Sequence, residues 1–335
     1  MNISYYPVIK WKKGEQEALK NLKAFYPNFY PIIEIVEECS PKDFFSVLPV
    51  YYLQPILFDV SRFDAEYLNN YISYSIENKI QAYPVLSIDD FINNVTEKLP
   101  DIISVRISIP VDFEGPTIEE ILNILSSDEK HKINLFLDAG EVIDARTANS
   151  IFEIYNRTIY ENIGILSKLE NIIICLTSFP KQLSIEPGED VTYKRYDILI
   201  FKKIIETYKN SKLNGRIQYS DYGVTKYTET ELDFSKMRYS ILPKVKYTTE
   251  KQYIVKKGEK DRKNNIFTRS YIDMAKEIVN SAYYKGVNYS YGDKCIYDKA
   301  NMSNATPGNA QQWVTYCANH HFTLLMEQLS NFPDF

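Results

Sequence analysis

No stretch of this 335-residue chain approaches the ~20 consecutive apolar residues that a membrane-crossing helix needs. Its start, MNISYYPVIKWKKGE, has no basic segment leading into an apolar core, which argues against a secretory leader. The four cysteines, Cys39, Cys175, Cys295 and Cys317, stand far apart with no CxxC pair, which excludes a zinc knuckle or a dithiol redox motif. They read as free thiols in a reducing compartment, so a soluble cytoplasmic protein is expected. No GxGxxG follows the first apolar run, which counts against a doubly wound dinucleotide-binding sheet. Positive charge is also scarce overall: the formal charge is −5, so the surface as a whole does not advertise nucleic-acid binding.

What is present is an alternation. Short β-branched runs at 5–10, 29–35, 54–60, 80–86, 103–109, 133–139, 171–177 and 215–221 are separated by segments with apolar residues at i, i+3, i+4 and i+7. Asp64, Thr117 and Thr147 are placed to cap three of those helices. Nearly continuous apolar strands alternating with helices imply a parallel sheet covered on its faces. Eight repeats within residues 1–235 fit an α/β fold of the TIM-like (β/α)8 barrel type better than an open sheet.

Residues 236–335 read as a smaller C-terminal α+β extension. A hairpin with a turn at Thr248, Thr249 and Glu250 is expected there, followed by a helix over 267–284 and a last helix that Thr306 and Pro307 begin. Between Lys236 and Arg269 eleven Lys and Arg face three acidic residues, so the rest of the chain carries −13. In this hairpin Lys256, Lys257 and Lys260, interleaved with Tyr239, Tyr247 and Tyr253, are candidate nucleic-acid contacts. The competing account is an edge strand that lysines keep from aggregating.

At the carboxyl ends of the strands the polar residues Lys10, Glu34, Asp59, Asp138, Thr177 and Asp221 recur, and a barrel gathers such ends into one mouth. Arg106 lies in mid-strand, with Ser104 and Ser108 on its side of the pleat. A guanidinium there calls for a carboxylate partner among Glu34, Asp59 and Asp138. One account makes the whole set a buried structural network. The other makes it a site: Lys10, Arg62 and Arg106 as ligand-binding cations, with Glu34, Asp59, Asp138 and Asp221 as candidate catalytic carboxylates. In that account Asp59, Asp138 and Asp221 are candidate metal ligands for a hard cation such as Mg2+. His320 and His321 face about 100° apart on a helix and cannot share a metal. Cys317 and His321 share a face, but Trp313 and Leu324 on it favour a core histidine. Ser178 has no nearby His to activate it.

Taken together, YYPVIKWKKGEQEAL, FYPIIEI, LFDVSR, SDYG and WVTYCANHHFTLLMEQL resemble the phage and prophage Beta protein family over nearly the whole chain. The resemblance implies a component of bacterial anti-phage cassettes, at times beside a toxic partner that it restrains. It transfers no site residue, and SDYG departs from the pattern where a Gly before Asp221 would be expected. Three functions follow as expectations. The first is a binding or regulatory module recognising a phosphorylated ligand, nucleic acid or protein partner. The second is a metal-dependent phosphodiesterase or hydrolase at the mouth, and the third is a structural partner protein using only its surface.

Overall fold

The computed structural model describes residues 3–22, 27–93, 98–110, 116–225, 242–261 and 263–332. Lys236, Arg238, Tyr239 and Arg262, part of the basic segment, lie outside the described residues. Eight parallel strands form one sheet in the order β1 (Val8–Lys10), β2 (Ile32–Glu34), β3 (Ile56–Asp59), β4 (Ala82–Ser87), β5 (Ile102–Ser108), β6 (Lys132–Glu141), β7 (Asn171–Thr177), β9 (Ile217–Ser220). The last strand returns to the first. Tyr6 N–H donates to Tyr219 O at 2.8 Å, Val8 N–H to Asp221 O at 2.8 Å and Tyr219 N–H to Ser4 O at 3.2 Å. Helices α1 (Lys13–Lys20), α2 (Pro41–Tyr51), α3 (Ala65–Glu77), α4 (Ile88–Ile92), α5 (Ile118–Ser126), α6 (Ala145–Leu166) and α7 (Tyr196–Tyr208) intervene, giving the expected TIM-like barrel.

Side chains alternate across the barrel wall as the pleat requires. Val8, Ile32, Leu57, Val85, Phe136, Ile173 and Cys175 cluster inside with Tyr6 and Tyr222. Ile9, Ile33, Phe58, Val105, Leu135, Leu137, Ile172 and Ile174 belong to the larger core between sheet and helices.

All eight barrel strands fall where the sequence places them, but other elements differ. β8 (Asp190–Lys194), inserted between β7 and α7, pairs antiparallel with β11 (Gln252–Lys257), which pairs with β10 (Lys244–Thr248). Its exposed–half-buried alternation gives a strand only one weakly apolar face, too faint a signal for a short segment next to a helix. Part of the expected 267–284 helix is instead β13 (Ile266–Arg269), which pairs with β12 (Glu259–Asp261); helix α8 covers Tyr271–Val279. Asp64 and Thr117 do cap α3 and α5, whereas α6 is capped by Asp144, which accepts from the N–H of Thr147. The last helix, α10 (Ala310–Ser330), is capped by Asn309 in a reciprocal box with Gln312, and Pro307 O accepts from Trp313 Nε1 at 2.9 Å.

α10 is enclosed on nearly every side, by α1, β10 and α9 (Tyr291–Asn301), and most of its buried polar side chains are met by partners on those elements. Thr315 donates to Gly14 O at 2.9 Å, and Asn319 bridges the helices by donating to Ala18 O at 3.0 Å and accepting from Gly292 N at 3.0 Å. Among the described residues no helix is long and apolar enough to cross a membrane.

Glu15, in the first turn of α1, is 6% exposed, and burial pushes its carboxyl from 4.5 up to about 7, with Lys246, Lys12 and Lys10 pulling the other way. A folded pKa above the unfolded one means that the native state holds the proton more tightly. Its stabilisation is full below pH 4.5 and is lost as pH rises through 7. Glu15→Gln is therefore expected to raise unfolding free energy by about 3 kcal/mol at most at pH 8 and to change little at pH 4. Urea titrations at the two pH values check this.

Candidate active site at the barrel mouth

The interior face of β5 carries Ser104 and Arg106, and the neighbouring strands place Val85 and Asn134 opposite Ser104 and Ser87 and Phe136 opposite Arg106. Lys10, Glu34 and Asp59 stand in one register row across β1, β2 and β3. The barrel thus brings Arg106 to Asp59, with Nη1 2.9 Å from Oδ2. Asp59 Oδ1 accepts from Ser61 N–H at 2.9 Å. Asp138 Oδ1 accepts from Gly140 N–H at 2.9 Å, and its Oδ2 accepts from the Tyr222 hydroxyl. Arg62 Nε is 3.2 Å from Glu34 Oε1.

Burial by itself would weaken the hold of Arg106 on its proton, but Asp59, Tyr222 and Asp138 reverse this and keep it charged. Among the described residues only Nη1 has a carboxylate partner. Nε and Nη2, the edge of the guanidinium suited to a planar two-oxygen group, are buried without a hydrogen-bond partner among those residues, as is Ser104 Oγ two positions earlier on the same face. Ser104 is fully buried, and the Arg106 side chain keeps 20% exposure.

Asp221 does not join this group. Ser220 and Tyr222 point inward, so Asp221 points outward by strict alternation. There Oδ1 accepts from Tyr5 Oη at 2.7 Å and Gly223 N at 3.0 Å, while Oδ2 lies 3.1 Å from His321 Nε2. Burial raises its pKa, but His321 and these donors more than offset it and hold Asp221 below the usual carboxylate range. Among the described residues no three His, Cys, Asp or Glu side chains could hold a metal ion. The expected Mg2+ set of Asp59, Asp138 and Asp221 is divided between two faces of the barrel wall. The residue that the sequence reading missed at the mouth is Tyr222. Counting by two from Gln218 would have placed it inside.

Comparison with known families decides what kind of chain this is: the Beta protein family model matches residues 5–326. The chain belongs to the Beta protein family. No curated protein matches it. Among solved structures, the biosynthetic arginine decarboxylase of Campylobacter jejuni is 13% identical with a TM-score of 0.37, over 96% of this chain and 56% of that one. This Beta protein thus spans little more than half the length of that enzyme, and nothing about activity follows from so loose a likeness.

The remaining candidates in this Beta protein have structural partners. His320 Nδ1 lies 2.7 Å from Asp293 Oδ2, and its Nε2 lies 2.8 Å from Thr248 O. His321 Nδ1 lies 3.0 Å from Thr248 Oγ1. Both rings are fully buried and tie α10 to β10, α9 and the barrel wall. Burial pushes the Cys317 thiol up to about 11. Ser178 Oγ accepts from Asp197 N–H at 2.9 Å at the start of α7. In the basic hairpin Lys256 Nζ lies 2.5 Å from Asp190 and 2.8 Å from Glu277, Lys257 donates to Ile185 O at 2.6 Å, and Lys260 covers the Phe267 ring at 5.1 Å. Lys256 is thus neutralised by carboxylates, while Lys257 and Lys260 are held in place by a carbonyl and a ring.

Proposed function

We propose that this Beta protein is a binding module of a bacterial anti-phage system, acting in the cytoplasm, whose barrel mouth recognises a small ligand and passes that state to a protein partner encoded nearby. Support for the site comes from Arg106: a guanidinium that gives one nitrogen to Asp59 and leaves the two buried donors of its other edge without a hydrogen-bond partner among the described residues has spent the cost of burial without using its directional capacity. The defence setting and the partner rest on the family resemblance. Four free cysteines suit a reducing cytoplasm. The metal-dependent phosphodiesterase reading needs converging carboxylates, and Asp59 and Asp138 are instead held by Arg106 and Tyr222 while Asp221 faces away.

The test is thermal unfolding in the presence of the small-molecule fraction of phage-infected cells, for the wild type and for Arg106→Lys. Lysine keeps the charge beside Asp59 and loses the planar donor edge. A rise in midpoint for the wild type that Arg106→Lys abolishes is expected. An equal rise in both, or none in either, contradicts the assignment.

A further inference from the structure

Resting on the reading of the mouth as a ligand site, we infer that the group received there is a single carboxylate, and that phosphate esters and polyphosphates are disfavoured. Two observations point the same way. The first is donor geometry. Arg106 Nε and Nη2 are adjacent, coplanar donors, buried and, among the described residues, unpartnered, and Ser104 Oγ, likewise unpartnered and fully buried, lies two residues earlier on the same interior face. Two parallel N–H groups match the two oxygens of a carboxylate, and the hydroxyl offers a third donor to the same group. Asp59 already uses Nη1, so the unpartnered edge keeps both of its donors.

The second is charge. Beside the unpartnered edge one guanidinium faces two carboxylates, Asp59 and Asp138, and in the register row beyond it Glu34 is accompanied by Arg62 and Lys10. Asp138 accepts at both oxygens, from Gly140 N–H and the Tyr222 hydroxyl. An entering group of charge −1 meets one guanidinium edge and adds a single like charge to this set. A dianionic phosphate monoester meets the same two carboxylates with twice the charge, in a place where low polarisability makes repulsion count. A triphosphate carries still more charge and finds Arg62 and Arg106 both engaged by carboxylates.

Three probes with one ring and different heads test this: benzoate, phenyl phosphate and benzamide, titrated calorimetrically into the full chain at about pH 7.5. Benzoate is expected to bind, and phenyl phosphate and benzamide to bind about tenfold more weakly or worse. Arg106→Lys should weaken benzoate by about tenfold, and Ser104→Ala, which deletes one donor and leaves the Asp59 pair intact, by about threefold. Phenyl phosphate binding as tightly as benzoate, with the same loss in Arg106→Lys, would overturn the carboxylate assignment while leaving the mouth a recognition site. Binding of no probe, or benzoate binding unaltered by both variants, would overturn the inference as well, the former together with the reading of the mouth.

Discussion

Asp59→Ala lowers the unfolding free energy by about 3–5 kcal/mol, the largest loss expected of any mouth substitution. The reason is what it leaves behind. Asp59 is almost fully buried and holds Arg106 Nη1 at 2.9 Å, and Nε and Nη2 have no hydrogen-bond partner in reserve. Without Asp59 the guanidinium keeps its charge inside a barrel lined by Phe136, Ile173 and Cys175, with Asp138 already engaged by Tyr222 and Gly140. The cost is that of an uncompensated charge and exceeds the net worth of the pair. Adding Arg106→Met to Asp59→Ala should therefore recover most of the loss, since removing both partners removes the charge. Urea unfolding of the two single variants and the double one measures this, and a double variant no more stable than Asp59→Ala would mean that the guanidinium finds other support.

Gly292→Ala has the second large effect. A Cβ at this position would stand 2.0 Å from Tyr316 O and 3.2 Å from His320 N, both backbone atoms of α10 that no rotamer change can move. α9 must then separate from α10, loosening the Gly292 N–H bond to Asn319 and the His320–Asp293 contact. A loss of about 3 kcal/mol or more is expected. Gly164→Ala is the control: it lies in α6, its Cβ would meet nothing within 4 Å, and the change should stabilise by about 0.5–1 kcal/mol. Comparable losses in both variants would show that the close approach of α9 to α10 has been misjudged.

The barrel strands were legible because each is a β-branched run bounded by polar residues, and their apolar character does not depend on partners elsewhere. That Arg106 needs a carboxylate was legible from sequence by cost alone, since a mid-strand guanidinium demands one, but the choice among Glu34, Asp59 and Asp138 came only with the barrel's register. Asp221 shows where that logic stops. A polar residue at a strand end is expected to face the mouth, yet its parity with Tyr219 turns it towards His321. β8 was not legible because its partner, β11, lies some sixty residues further on, and the strand is defined by that pairing more than by its own residues. The same holds for Arg195 and Asp197, fully buried beneath the extension, whose neighbours Tyr253, Thr249 and Gln328 come from other elements. Contacts assembled from distant segments leave no local periodicity to read.

The Arg106 Nε–H resonance in a 15N-arginine spectrum, identified as the signal that Arg106→Lys removes, reports most directly on the open guanidinium edge. It should be protected from solvent exchange and should move downfield as benzoate is added, while the other arginine Nε–H signals stay in place. An Arg106 signal that exchanges freely with water, or that does not respond to a benzoate concentration sufficient to stabilise the fold, would contradict a ligand site built on that edge.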